Sequence, residues 1–282
     1  MRLLHPTDFS QTADKARILA LDLKEPLEAS LDVVYVQERY EVDKTGQTGT
    51  GHDYVNTGLT QYQQAAREEE IKRYAQRLAA LTPAGAQHHL LWGRPVAEIL
   101  ERAPHYDLMV MGAHGANRLD NYFLGGVAGR IVRRSPIPVL SVRDEAKTKR
   151  VKRLLVATDF GDASKHAWRW CQPLVQKGIK LVLVHVIDVT RLQNDTGYTQ
   201  VVTEAMHNLD REHSTERHVI REGDPVRSLP KIAEELGADA VTIGLKRHPA
   251  MVGLLLGSTA DALLRSSPVP ILSVPCTDLP SG

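Results

Sequence analysis

An α/β chain of two tandem open parallel-sheet domains, each with helices on both faces, is the architecture this 282-residue sequence predicts. Three observations carry the prediction. The chain repeats itself in domain-sized blocks. Within each block, strand-like and helix-like segments alternate. The strand-like segments are apolar along their whole length, as expected of strands buried on both faces.

The repeat comes first. Leu3-Leu4-His5-Pro6-Thr7-Asp8-Phe9-Ser10 returns as Leu154-Leu155-Val156-Ala157-Thr158-Asp159-Phe160-Gly161, an offset of 151. Gly93-Arg94-Pro95-Val96 returns as Gly223-Asp224-Pro225-Val226. Gly125 to Val142 matches Gly257 to Val274 at an offset of 132, with nine of eighteen residues identical. Three matches in the same order describe a duplicated domain, with boundaries expected at 1–144 and 151–276. The shrinking offset places the missing residues of copy two around Glu41 to Thr60 of copy one. Asp144 to Arg150 reads as a short solvated linker.

The elements follow from pattern. Leu31 to Val36, Leu181 to Ile187, Leu108 to Met111 and Ala240 to Ile243 read as strands. His88-His89 falls in a third strand of copy one. Ala65 to Leu81, Val96 to Arg102 and Leu229 to Leu236 carry helical spacing. In such sheets ligands bind beyond the carboxyl ends of the strands, where the strand order switches. Asp8, Val36 and Met111-Gly112 sit at those ends in copy one, and Asp159, Val186 and Ile243-Gly244 in copy two.

Composition narrows the partners. Lys plus Arg (35) nearly cancel Asp plus Glu (34), so no net field recruits nucleic acid or an anionic membrane. No apolar run reaches the roughly 18 residues of a membrane span, and Pro6 and Asp8 interrupt any leader-like start. Two cysteines, Cys171 and Cys276, make no disulfide framework. A cytoplasmic protein is expected.

The chemistry lies in glycines. After its fourth strand copy one reads Gly112-Ala113-His114-Gly115, then nine residues, then Gly125-Gly126-Val127 opening a helix. Backbone N–H groups at a helix start form an anion site. Two such turns at one sheet edge are able to cradle a polyphosphate while Asp8 meets a nucleoside. Simpler readings stand beside this one. Asp8 and Asp159 would merely cap the following helices, the glycines would only make turns, and His114 would be solvated. Arg130, Arg133 and Arg134 read as a solvated face near a helix C-terminus. Trp168 and Trp170, two residues apart on one helix, cannot share a face, so one is expected in the core. No H-E-x-x-H or Cys/His spacing signals a metal.

On these residues the chain resembles the universal stress protein family over nearly its whole length. The resemblance rests on Pro6-Thr7-Asp8-Phe9-Ser10, the glycine series, and Ser135-Pro136-Ile137-Pro138-Val139-Leu140-Ser141-Val142. It implies a Rossmann-like fold of the adenine nucleotide alpha hydrolase type. It also implies ATP, with Mg2+ as a companion ion. Asp8 and the Val36 backbone would meet the adenosine, Met111 and Gly112 the base and ribose, and Gly115, Gly125, Gly126 and Val127 the phosphates. Asp159, Val186, Gly244, Gly257, Ser258 and Thr259 are the copy-two counterparts. The family's pairing through the last strand would here join Val139–Val142 to Ile271–Val274 within one chain, as an intrachain pseudo-dimer, with a homodimer of whole chains as a further option.

Both copies depart from the pattern. Gly126 stands where Ser or Thr is usual, a loss of about one hydrogen bond, roughly 0.5–1.5 kcal/mol. Arg247 stands where copy two should carry its second glycine. Copy one is therefore the expected nucleotide site. Three functions stay open: a nucleotide-responsive stress regulator, a scaffold without nucleotide, and a slow ATPase. No S-G-G-x-D-S loop, H-I-G-H motif or P-loop is present to support efficient catalysis.

Overall fold

The computed structural model describes residues 1–38, 41–42, 48–49, 61–114, 126–188, 198–211, 214–246 and 257–276. Copy one runs β1 (Arg2–Pro6), α1 (Gln11–Lys24), β2 (Ser30–Glu38), the two-residue pair β3 (Glu41–Val42) and β4 (Thr48–Gly49), α2 (Gln61–Leu81), β5 (Gln87–Gly93), α3 (Pro95–Arg102), β6 (Leu108–Gly112), α4 (Gly126–Arg134) and β7 (Val139–Val142). Copy two runs β8 (Arg153–Ala157), α5 (Asp162–Cys171), β9 (Lys180–Ile187), α6 (Tyr198–Leu209), β10 (Thr215–Glu222), α7 (Pro225–Glu235), β11 (Ala240–Lys246), α8 (Ser258–Ser266) and β12 (Ile271–Cys276).

The strands form one ten-stranded sheet in the order β10-β9-β8-β11-β12-β7-β6-β1-β2-β5. Within this sheet every pairing inside a copy is parallel, while β3 and β4 pair antiparallel as a separate two-stranded sheet. The halves meet where β12 runs antiparallel to β7, with Leu272 opposite Leu140 and the Ser273 hydroxyl donating to the Val139 carbonyl at 3.0 Å. Each half thus has its first strand flanked by its second and its fourth, which is the switch in strand order expected of a doubly wound sheet.

Two apolar layers cover the sheet along its full width. On one face α3, α4, α7 and α8 bury Ile99, Ile131, Ile232 and Leu263 against Leu4, Met109, Leu155 and Val241. On the other, α1, α2, α5 and α6 bury Leu19, Leu78, Trp168 and Met206 against Leu3, Leu31, Leu154 and Leu181. Because side chains alternate across a strand, neighbours such as Leu3 and Leu4 feed opposite layers, and strands buried on both sides must be apolar at every position.

Several local readings change. Helix α7 begins at Pro225, earlier than Leu229, because proline is favoured in a first helical turn and the Asp224 side chain caps it by accepting from Val226 N at 3.0 Å. The length lost from copy two lies partly in the helix itself: α2 has 21 residues and α6 has 12. The linker is not wholly solvated. Ala146 is buried and Thr12 Oγ1 donates to Asp144 Oδ1 at 2.5 Å, and just past the linker Val151 is buried with its N donating to Asp22 Oδ2 at 2.8 Å. Nor is Arg133 simply a solvated charge, since it reaches Asp261 of the other half at 2.6 Å. Asp261 also holds Arg265 at 2.7 Å. Burial would raise its pKa, but hydrogen bonds from Arg265 and Arg133 outweigh that and hold it below the usual aspartate value.

Candidate functional site

At the carboxyl edge of each half the chain makes the same turn. Pro6 pairs with Val34, so Asp8 and Val36 lie two residues further along adjacent strand ends. Ala157 pairs with Val184, which sets Asp159 and Val186 in the same relation. The acids are not the helix caps. Ser10 caps α1 by accepting from Ala13 N at 3.2 Å, and Gly161 occupies the cap position of α5. Asp8 Oδ1 instead accepts from Ser10 N at 3.0 Å, and Asp159 Oδ1 from Gly161 N at 2.9 Å. In each turn the preceding threonine accepts as well, Thr7 from Phe9 N at 3.1 Å and Thr158 from Phe160 N at 3.0 Å.

Between acid and cap sits a phenylalanine in the left-handed region, Phe9 and Phe160 both at φ 62°. That conformation costs a residue with a Cβ roughly 1–2 kcal/mol. The paired side-chain acceptors hold it in both copies, and it leaves Asp8 and Asp159 exposed at the sheet edge. No glycine occupies the left-handed position in either copy. The Thr-Asp-Phe repeat was the only trace of this bend.

Met111 and Gly112 end β6 beside β1, with Met111 buried, and Gly244 ends the corresponding part of β11. Val36 and Val186 are buried at their strand ends. Gly112 is packed, not open: a Cβ there would lie 3.0 Å from Ala13 N and 3.1 Å from the Thr12 carbonyl carbon. At Gly244 a Cβ would lie 2.1 Å from the Ala163 carbonyl oxygen. Both glycines let the first turn of α1 or α5 press against the strand. His114, which follows, is buried at 9% exposure and not solvated.

The other end of the glycine series behaves differently. A Cβ at Gly126 or Gly257 meets no described atom within 4 Å, and neither residue has positive φ. Helices α4 and α8 run back from the carboxyl edge to the next parallel strand, so their N-termini, with Gly126, Val127, Ser258 and Thr259, stand at the edge that carries the acids. Val127 packs against the core, while Ser258 and Thr259 are exposed. Gly257 supplies no side-chain cap, which leaves the first-turn N–H groups of α8 available to an anion. Gly115, Gly125 and Arg247 lie outside the described residues. Among the described residues no His/Cys/Asp/Glu cluster suited to a metal occurs, and no helix is long and apolar enough to cross a membrane.

Comparison with known proteins agrees with this frame. The model of the universal stress protein family matches twice, at residues 1–143 and 150–275. A universal stress protein E homolog of Haemophilus influenzae is 26% identical over 209 residues, covering 63% of this chain and 66% of that protein. A universal stress protein of Mycobacterium bovis is 23% identical over 229 residues, covering 72% of this chain and 73% of that protein. The crystal structure of a universal stress protein from Archaeoglobus fulgidus superposes with a TM-score of 0.68 at 23% identity, covering 97% of this chain and 98% of that one. With two family matches in sequence order and one fold running through both, this chain belongs to the universal stress protein family as a tandem, two-repeat member.

Proposed function

We propose that the chain is an adenine-nucleotide-responsive stress regulator that holds ATP mainly in copy one. Asp8 and the Val36 backbone would face the adenosine, Met111 and Gly112 the base and ribose, and Gly126 and Val127 the phosphates, together with Gly115 and Gly125. Mg2+ would accompany the nucleotide as counter-ion to its phosphates.

The observation that carries this reading is the open space over Gly126. The fold makes no demand for glycine there, either by φ or by contact among the described residues. An uncrowded helix start on the ligand edge of a switched sheet, with room for glycine or for the Ser or Thr usual at this position, leaves its first-turn N–H groups to a phosphate. Gly257, Ser258 and Thr259 offer the same start in copy two, with Asp159, Val186 and Gly244 beside it, as a weaker second site. The halves would act as an intrachain pseudo-dimer through the antiparallel β7–β12 pairing, so that occupancy of one edge would be transmitted through a shared sheet. Action in the cytoplasm is part of the same proposal.

Heating the purified protein and identifying the released small molecules by mass spectrometry tests it. An adenine nucleotide is expected from the parent chain, and much less from Asp8→Ala. Release of none, with no rebinding at millimolar ATP, refutes the proposal in favour of a scaffold that acts without nucleotide.

A further inference from the structure

Duplication gives this protein an internal control, and on the α1/α5 side of the sheet the two copies differ. In copy one, α2 lays Tyr74 and Arg77 over the turn after β1. The Phe9 and Tyr35 rings lie 4.6 Å apart, Tyr35 and Tyr74 4.9 Å, and the Arg77 guanidinium sits 4.2 Å above Phe9. Asp14 on α1 is paired with Arg17 at 2.7 Å. On that face aromatic rings cover the turn, and Asp14 is matched by Arg17.

In copy two the shorter α6 leaves a cleft of about 620 Å³ between itself and α5. Its floor is apolar: Phe160, Trp168 and Leu209. Trp168 is 1% exposed and its indole N–H donates to the Leu209 carbonyl at 3.0 Å, which fixes the floor. Its rim is cationic: Lys165, Arg169 and Arg211. By the repeat offset Lys165 occupies the place of Asp14, and Trp168 that of Arg17, so where copy one has an ion pair copy two has a cation and a buried tryptophan. None of the three rim cations has an ion-pair or hydrogen-bond partner among the described residues, and no described carboxylate lines the cleft.

We propose that this cleft is a second ligand site, specific to copy two, for a small organic anion with an apolar body: an aryl or acyl carboxylate, sulfonate or phosphate. Burial of the body against the half-buried Phe160 and Leu209, with Trp168 packed beneath them, supplies affinity, and three cations with no ion pair among the described residues supply selectivity for negative charge. The volume lies within the range of small-molecule sites. The cleft opens on the α5 and α6 face of the sheet while α8, whose N-terminus would take phosphate, covers the other, and Phe160 of its floor belongs to the turn that carries Asp159.

Titration of the full chain with anilinonaphthalene sulfonate, read by its fluorescence, tests the proposal. Saturable binding of one dye per chain is expected, with at least tenfold weaker binding in Lys165→Glu/Arg169→Glu and near-parent binding in Lys165→Arg/Arg169→Lys. Arg211→Glu, on a different segment, gives an independent loss should the double variant lose its fold by circular dichroism. Displacement by naphthoate or by decanoate supports the site and names the apolar body as aryl or acyl. The proposal fails if charge reversal leaves binding unchanged, if neutral naphthalene methanol competes as well as naphthoate, or if ATP displaces the dye.

Discussion

Alanine substitution along the glycine series separates glycines that the fold needs from glycines left for a ligand. At Gly244 the added methyl would sit 2.1 Å from the Ala163 carbonyl oxygen and 2.6 Å from Ser164 N, both main-chain atoms that cannot swing aside. The first turn of α5 must move by about 1 Å, and overpacking of that kind costs roughly 1–3 kcal/mol, here at the upper end. At Gly112 the nearest main-chain atoms are at 3.0 and 3.1 Å, so displacement by a few tenths of an ångström suffices and about 1 kcal/mol is expected. At Gly126 the methyl meets no described atom, and alanine in a helix is favoured over glycine by up to about 1 kcal/mol. Urea unfolding followed by circular dichroism should therefore rank the variants as Gly126→Ala at or above the parent, Gly112→Ala below it, and Gly244→Ala lowest. A destabilised Gly126→Ala beside a neutral Gly244→Ala would refute the reasoning.

Other perturbations follow from the same structure. His5 is fully buried on β1 with Nδ1 2.8 Å from the Val110 carbonyl, and burial lowers its pKa from 6.5 to about 4. The unfolded chain therefore takes up a proton between pH 6.5 and 4 that the folded chain refuses, so stability falls as pH drops through that window, by at most about 3 kcal/mol. In His5→Gln the slope of urea-unfolding stability against pH should flatten there; an unchanged slope contradicts the assignment. Asp261→Asn removes a carboxylate that holds Arg133 and Arg265, and at 28% exposure the loss should be about 1 kcal/mol at low salt and smaller at high salt. Because its folded pKa is depressed, that contribution is complete above the ordinary aspartate value and fades as pH falls through the folded one, so parent and variant should converge in acid. Leu272→Asp places a charge opposite Leu140 at the β7–β12 junction, where both leucines are 3% exposed or less. A loss above about 3 kcal/mol is expected in calorimetric unfolding, and a loss under 1 kcal/mol would show that the junction does not couple the halves.

Much of the frame was legible in the chain. Continuous apolar runs such as Leu31 to Val36 and Leu181 to Ile187 specify strands buried on both faces, and the repeated Thr-Asp-Phe turn sets two equal sheet edges. What escaped the sequence depends on contacts between distant segments. Gly112 and Gly244 read as ligand glycines, yet their need for hydrogen in place of Cβ comes from the first turns of α1 and α5, about a hundred or eighty residues earlier. The left-handed Phe9 and Phe160 break the usual association of positive φ with glycine, because threonine and aspartate side chains hold the bend. Asp261 and Arg133 belong to different copies, and the rim of the copy-two cleft joins α5 to the end of α6, so neither shows in a local pattern.

The central claim is a nucleotide site at the copy-one edge, and isothermal titration of ATP into nucleotide-free protein tests it most directly. One ATP per chain is predicted, with binding lost in Gly125→Val and retained in Gly257→Val, its copy-two counterpart at the offset of 132. No heat of binding at millimolar ATP, or equal loss in both variants, would contradict it.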